Sequence, residues 1–515
     1  MQSTGYQNSV DDYSVVIVGS GLGGLTAGAR LARAGCKILL IERNTNIGGC
    51  ARVVWGNNLV YEFSLHQLCG FEKGSLLREI FDEFGLFERL ELVRLPNFYR
   101  CTSGKNDITL PHDPSQAVRI LRKEFPSEEK AIRKFFDLLV VLNREVNRWI
   151  KKGCDSTLLV PLYPVIYPNM VRYANRTVGE FLDAITEDDE LKLILAALTP
   201  WYHDDPYTTS LINFAFGQSS YFMGGGYYIK GGSQKLSDAL GTIITDHGGA
   251  ILPNHLVTGI TIKKGQVCGV TYRDNREPGT KEEQVSTKNV IANAAIPHVA
   301  NDLLPAPANQ KLLKKIRNQI PSISFLCVYL KFRRSLSHLG NESYLTIVGD
   351  KSWTKFTQFG EACKTDDYYL KGMGFTDYSI IDNGMPEEGR HTGVLVVVDS
   401  LNHWEGLLPT EYEARKKQAT NILIERLERI VPGVQGEIEA CEVVTPRSIY
   451  QETNNPAGTP YGFAHIPSQE GLHRMGYASP VHGLYFASAW SRPGAAYVGT
   501  ICGGYNCANK VLEEL

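Results

Sequence analysis

Between positions 14 and 42 the chain holds one short pattern that leaves few folds open. Ser14-Val-Val-Ile-Val18 is a β-branched run, of the kind buried on both faces of a parallel sheet. Gly19-Ser-Gly21-Leu22-Gly23-Gly24 follows it directly. A helix is expected next, over about Leu22 to Ala34, with Gly35 as its stop. Lys37-Ile-Leu-Leu-Ile41 reads as a second buried strand and completes a βαβ unit.

The loop fits the spacing G-x-G-x-x-G, in which side chains at the glycines would keep the backbone away from a pyrophosphate. The helix that opens at Leu22 and Gly23 then offers unpaired N–H groups and the positive end of its dipole to that anion. Glu42, eighteen residues beyond Gly24 and followed by Arg43, ends the second strand. There a carboxylate accepts hydrogen bonds from both hydroxyls of a ribose and disfavours a 2′-phosphate. The glycines alone read as a tight turn; the strand, the helix and the acid around them make a dinucleotide site.

Two further segments favour a flavin nucleotide over a nicotinamide one. Asn46-Ile-Gly48-Gly49-Cys50-Ala-Arg52 has paired glycines that let backbone pass close to a long cofactor. Ala487-Ser488-Ala489-Trp-Ser-Arg-Pro493-Gly494-Ala-Ala-Tyr-Val498-Gly499 runs into a final helix, from about Thr500 to Glu514. The start of that helix sets N–H groups against the pyrimidine edge of a flavin, where negative charge develops on reduction. Read alone, each segment is a surface loop.

The 515 residues allow roughly two to four folding units. Lys plus Arg number 53 against 55 Asp plus Glu, so no strong field favours nucleic acid. The eleven cysteines include no C-x-x-C pair; no metal site is expected, and a reducing compartment is. Met1 to Asp12 lacks the order of a secretory signal, and no apolar run reaches membrane-spanning length. The expectation is a cytoplasmic chain, with contact at a membrane surface and the oligomeric state left open. Asn175-Arg-Thr and Asn341-Glu-Ser would be glycosylation sequons only in a secreted host.

Helical stretches are expected at Ser75 to Arg89, Ser127 to Lys152, Thr177 to Leu198 and about Thr410 to Ile430. Strands are expected at Val257 to Lys263, Val267 to Arg273, Asn289 to Asn293, Ser324 to Phe332, Gly393 to Asp399 and Gly483 to Ser488. The stretch Ser127 to Lys152 joins basic residues to Phe135, Phe136, Leu139, Leu142 and Trp149. It suits either a helix lying on a membrane or, more simply, one covering a substrate cavity.

On Val15-Val-Ile-Val-Gly-Ser-Gly-Leu-Gly-Gly-Leu-Thr-Ala27, Glu42, Gly48-Gly49-Cys50, Tyr61-Glu-Phe-Ser-Leu-His66, Tyr227-Tyr-Ile-Lys-Gly-Gly232, Gly248-Gly249 with Val257, and Gly483 to Trp490 with Pro493-Gly494, the chain resembles the phytoene desaturase-like flavoproteins. The likeness is to the branch of carotenoid cis-trans isomerases and retinol saturases, over nearly the full length. It implies FAD, an oxidoreductase acting on C=C or CH–CH bonds, and a hydrophobic, conjugated polyene-type substrate. It implies that Val257 holds the adenine through its backbone. Amine-oxidase relatives carry an arginine where this chain has Cys50, which favours the polyene branch. Ser488-Ala489-Trp490 departs from the more glycine-rich loop of the desaturases.

The expected fold class is α/β: a Rossmann-type, glutathione-reductase-like FAD-binding domain interleaved with a mixed α+β substrate domain. The first takes about 10–110, 220–298 and 445–515; the second takes 111–219 and 299–444, with the catalytic cavity where they meet. Two histidines are candidate catalytic groups. His66 follows the strand-like stretch after the cofactor motif, where the resembling saturases also have a histidine. His203, in Trp201-Tyr-His203-Asp-Asp-Pro-Tyr207, is placed to relay a proton. For both, a histidine satisfied by packing is the plain alternative.

Only one complete fingerprint is present, since Gly224-Gly-Gly226 and Gly503-Gly504 lack its flanking elements. NAD(P)H, as a transient reductant, therefore has to enter the substrate cavity. An amine or amino-acid oxidase, and a non-catalytic flavin-bound lipid carrier, are the competing readings.

Overall fold

The computed structural model describes residues 13–56, 58–154, 157–277 and 279–515. The reading of Met1 to Asp12, and residues 10–12 of the expected first domain, lie outside these. Two compact units are present, one made of the residues up to 51, 237–319 and 475–515, the other of 52–236 and 320–474.

The main elements of the first unit are, in chain order, β1 (Val15–Val18), α1 (Leu22–Arg33), β2 (Ile38–Ile41), most of α2 (Gln234–Asp246), β3 (Ala250–Leu252), β4 (His255–Lys263), β5 (Gln266–Asp274), β6 (Glu283–Ser286), β7 (Val290–Ala292), β8 (Leu484–Phe486) and α3 (Ala496–Glu514). Five strands form a parallel sheet in the order β8-β7-β1-β2-β3. Every residue of β1, β2, β7 and β8 is buried, which is why these segments are unbroken apolar runs rather than alternating ones. β4, β5 and β6 form a separate antiparallel sheet between β3 and β7.

The chain moves outward through β1, β2 and β3, then returns to the other side of β1 with β7 and β8. The strand order thus reverses between β1 and β7, the point where doubly wound sheets bind ligands beyond their carboxyl ends. Gly19 ends β1 there and Asn293 ends β7. α1 and α3 meet backbone to backbone: a Cβ on Gly504 would stand 2.2 Å from the Gly23 carbonyl oxygen, so only glycine permits that approach. α3 starts at Ala496, four residues before the expected start at Thr500.

In the second unit a seven-stranded sheet has the order Ile438–Val444, Ser324–Phe332, Thr392–Asp399, Met373–Asp377, Leu345–Val348, Tyr99–Ser103, Asn106–Leu110. Its pairings are antiparallel except that of Leu345–Val348 with Tyr99–Ser103. The period of two divides its residues between two faces. Leu326, Val328, Leu330, Phe375, Leu395 and Val397 pack with Ala419, Leu423 and Leu427 of the helix Pro409–Glu428. Phe325, Ile347, Gly374, Val396 and Val398 face a cavity instead.

The units divide the chain differently from the expected domains. Residues 52–110 fall in the second unit because the hairpin Tyr99–Leu110 extends its sheet. The stretch Ser75 to Arg89 is two helices, Leu76–Phe84 and Leu86–Arg89, broken at Gly85 with φ 62°. Thr177 to Leu198 divides likewise into Val178–Ile185 and Asp189–Leu195, each with its own side-chain N-cap, Thr177 and Asp188.

The helix expected over Ser127 to Lys152 runs from Glu129 to Lys151, and Phe135, Phe136, Leu139, Leu142 and Trp149 are all buried. The reading of this helix as a membrane-lying one is therefore corrected: its apolar face is consumed inside the fold. Among the described residues no helix is long and apolar enough to cross a membrane. Asn341 of the second sequon is buried and donates to Asp377 Oδ2 at 2.7 Å, so it offers no acceptor for a glycan.

Candidate functional site

The glycine loop is held by its own close contacts. Gly19 has φ 92°, and a Cβ there would lie 2.7 Å from the Asn293 carbonyl oxygen. A Cβ on Gly21 would lie 2.7 Å from Asn293 Nδ2, one on Gly23 2.0 Å from the Ala487 oxygen, and one on Gly24 2.4 Å from the Gly19 oxygen. These four positions let β1, β7 and β8 converge on the first turn of α1. Leu22, Gly23 and Gly24 are buried there, no side chain caps the helix, and its first turn carries no acid. A buried helix end of this kind lacks partners for its N–H groups, and an anion supplies them. The residues present therefore fit a dinucleotide pyrophosphate.

Glu42 stands beside the loop, buried at the end of β2. Its Oε2 accepts from the Ser20 backbone N–H at 2.8 Å and from Ser20 Oγ at 2.6 Å, and its Oε1 accepts from the Asn44 N–H at 2.8 Å. The two oxygens are unequal: Oε2 takes both Ser20 bonds and Oε1 the one from Asn44. Arg43 is half-buried, and its carbonyl accepts from Asn275 Nδ2 at 3.0 Å. Backbone bonds from Glu42 N–H to the Leu252 oxygen and from His255 N–H to the Glu42 oxygen carry the chain from β3 into β4. They set Val257 close behind the acid, at a register slip between Val257 and Gly259.

The second glycine pair packs onto the first. Gly48 N–H donates to the Ser20 oxygen at 3.0 Å and lies 3.2 Å from Ser20 Oγ, and a Cβ on Gly49 would stand 3.1 Å from Gly21 Cα. Gly48 and Gly49 have φ 119° and 62°, and Cys50 follows, half-buried and in no disulfide. At the other end of the chain, Ser488 and Gly494 are buried, and Ala489, Val498 and Gly499 are half-buried. α3 also opens without a side-chain cap or an acid in its first turn, and Ala496 takes a left-handed φ of 58°. All the expected cofactor residues thus belong to the first unit.

Both histidines belong to the second unit. His66 Nδ1 lies 3.0 Å from Tyr378 Oη, whose own proton is donated to the Leu65 carbonyl at 3.1 Å. Nδ1 is therefore the donor and Nε2 carries the lone pair. Tyr344 Oη donates to the His66 carbonyl at 2.7 Å, and burial pushes the His66 pKa down to about 4. His203 is buried, with Nε2 3.2 Å from Asp204 Oδ1 and Nδ1 without a partner. Burial lowers its pKa against the opposing pull of Asp204 and Asp205.

A cavity in the second unit is walled on one side by the seven-stranded sheet. Leu193, Ala197, Pro200, Trp201, Trp353 and Phe359 complete the lining, and no lining residue is charged. Neither histidine lines it; Trp201 does, with its ring 6.2 Å from that of His66. Among the described residues no group of three or more metal-ligating side chains exists. Sequence reasoning missed Ser20, Asn293 and Tyr378. Ser20 stands inside the fingerprint and Asn293 at the end of a buried strand, but nothing near Tyr378 signals a partner 312 residues away.

A parallel sheet reversing at a glycine loop, with two uncapped helix ends and a strand-end carboxylate, is the architecture of a dinucleotide-binding fold. The family model described as flavin containing amine oxidoreductase matches residues 22–512, and the chain belongs to that family. Human all-trans-retinol 13,14-reductase is 22% identical over 542 residues, covering 97% of this chain and 85% of that protein. Chloroplastic prolycopene isomerase of Arabidopsis thaliana is 24% identical over 520 residues, covering 98% and 83%. Cyclohexylamine oxidase from Brevibacterium oxydans shares the fold, with a TM-score of 0.61 at 16% identity over 98% of this chain and 99% of that one. The family and both relatives are enzymes, which sets the carrier reading aside.

Glu42→Ala is expected to lower FAD retention tenfold or more, since it removes charge-assisted hydrogen bonds from the ribose. Flavin absorbance after dialysis measures this, and undiminished retention would show that Glu42 is not the ribose ligand. A second expectation concerns acid. The folded pKa of His66 lies below its ordinary value of 6.5, so its stability contribution is complete above that value and is lost as pH falls towards 4. Urea midpoints measured from pH 7 to pH 4 should fall less in His66→Gln than in the parent; parallel curves would contradict the depressed pKa.

Proposed function

We propose that this enzyme exchanges a hydride with a C=C or CH–CH bond of a hydrophobic, conjugated substrate held in the cavity of the second unit. The observation that carries this reading is the uncharged lining of that cavity. An ammonium group entering it would lose its hydration and meet no counter-ion, which speaks against an amine substrate despite the family's description. Flat aromatic walls at Trp201, Phe325, Trp353 and Phe359 suit a planar polyene. The relatives named for retinol and prolycopene support the same class.

When bound, FAD supplies the redox chemistry. In this reading Gly19, Gly21, Leu22, Gly23 and Gly24 hold its pyrophosphate, Glu42 and Arg43 its ribose side, and Val257 its adenine. Gly48, Gly49 and Cys50 border the chain between its two halves, and Ser488, Ala489, Gly494, Val498 and Gly499 meet the flavin ring. His66 is neutral at pH 7 and offers Nε2 as an acceptor, so it positions rather than donates a proton. His203 is a packing residue of the Asp204 and Asp205 cluster. NAD(P)H, when it serves as reductant, brings only its uncharged reduced nicotinamide ring to the substrate cavity and keeps its phosphates outside it.

The test is anaerobic flavin spectroscopy with polyene and amine substrates, NADPH as reductant, and the variant Gly374→Leu. A Cβ on Gly374 has no neighbour closer than 3.8 Å, so leucine extends into the cavity. The polyene should change the flavin spectrum, the amine should not, and Gly374→Leu should slow the polyene reaction tenfold or more at unchanged FAD content. Flavin redox change with amines alone would overturn the assignment.

We also propose an anionic lipid surface as a partner, met through the segment after the helix Glu129–Lys151 rather than through that helix. Leu162, Val165 and Val171 are 52%, 81% and 44% exposed, beside exposed Lys151, Lys152, Arg172 and Arg176. No Asp or Glu stands between 157 and 179. Apolar insertion with flanking cations is the pattern of interfacial anchoring. Co-sedimentation with vesicles of anionic lipid should exceed that with neutral vesicles and fall severalfold in Leu162→Asp/Val165→Asp. Equal sedimentation of parent and variant would refute this surface.

A further inference from the structure

Resting on the reading of this cavity as the substrate site, we infer that its ligand carries a neutral oxygen function, a hydroxyl or carbonyl, that hydrogen-bonds to Ser103 Oγ. Ser103 ends the strand Tyr99–Ser103 and lines the cavity on the same face as Cys101, two residues earlier. It is 6% exposed, and its hydroxyl has no hydrogen-bond partner in the protein. A buried hydroxyl in that condition is a net cost to the fold, in a wall whose other side chains are apolar or, at Trp201 and Trp353, aromatic with an indole N–H.

Gly349, which also lines the cavity, bears on this directly. A Cβ there would stand 2.5 Å from Ser103 Oγ and 3.1 Å from Trp353 Cζ3. Glycine at 349 therefore keeps the serine hydroxyl uncovered. Thr102 and Thr346 also have unpartnered hydroxyls, but neither lines the cavity. Ser103 is distinguished by the space beside it.

The chemistry of the ligand's polar group follows from the rest of the wall. A carboxylate would meet no cation there and an ammonium no anion, and either would be desolvated without compensation. An alcohol, aldehyde or ketone needs a single hydrogen bond, which a serine hydroxyl can donate or accept. A site with one polar anchor in an apolar wall discriminates against the hydrocarbon that lacks the oxygen, because the buried hydroxyl is then left unpaired. The substrate class is thereby narrowed from polyenes in general to conjugated molecules with an oxygenated end.

The experiment uses the FAD-loaded enzyme and two probes, a conjugated polyene alcohol and the hydrocarbon of the same carbon skeleton, with binding followed by quenching of tryptophan fluorescence. Ser103→Ala should weaken the alcohol about fivefold and leave the hydrocarbon unchanged. Gly349→Ala, which covers the hydroxyl, should act in the same direction. Gly374→Leu should weaken both probes. If Gly374→Leu weakens both but Ser103→Ala affects them equally or not at all, the anchor is refuted while the cavity stands. If Gly374→Leu changes neither, the cavity is not the site and both readings fall.

Discussion

The first unit depends on a helix end that the protein itself leaves unsatisfied. The first turn of α1 is buried where β1, β7 and β8 converge, with neither a capping side chain nor an acid within it. Free N–H groups in such a place are costly unless a ligand accepts from them. The glycines follow from that requirement as much as from the cofactor: at Gly23 a Cβ would collide with the Ala487 oxygen, and at Gly24 with that of Gly19. Close convergence of backbones creates a polar deficit at this helix end, of the kind that an anion would satisfy.

Ser20 ties this site into one network. It donates twice to Glu42 Oε2 and accepts from Gly48 through its carbonyl, so the first glycine loop, the strand-end acid and the second glycine pair form a single hydrogen-bonded assembly. With Asn44 N–H held by Oε1 as well, the carboxylate is fixed at both oxygens. Such anchoring orders the site before a cofactor arrives.

The second unit solves a different problem with a sheet that is apolar on both faces. One face is covered by the helix Pro409–Glu428, the other by a cavity that excludes charge. Strands such as Ser324–Phe332 and Thr392–Asp399 therefore carry apolar residues at odd and even positions alike. Polar exceptions in this setting are informative, because each must find a partner, as Asn341 does in Asp377, or wait for one, as Ser103 does.

What could be read directly from the residues was local. The run Val15 to Val18, the glycine spacing, Glu42 and the apolar segment at Val290 each state their role within a few residues, because strand burial and helix-end geometry are short-range requirements. The breaks at Gly85 and Thr186 had local signals, the glycine and the N-cap Asp188, that the periodic apolar pattern obscured, while the burial of the helix Glu129–Lys151 was not legible because it depends on tertiary packing. The residues that give the sites their detail come from far along the chain: Asn293 reaches the glycine loop, Tyr378 sets the tautomer of His66, and Gly349 uncovers Ser103. By itself the sequence pointed to a dinucleotide-binding βαβ unit, because backbone approach over about thirty residues fixes that pattern, while the choice of flavin rested on segments far apart in the chain and on family resemblance. Only the tertiary structure decided where the units divide, which face of the large sheet lines a cavity and which polar groups stand without partners, because burial is a property of what the rest of the chain brings alongside.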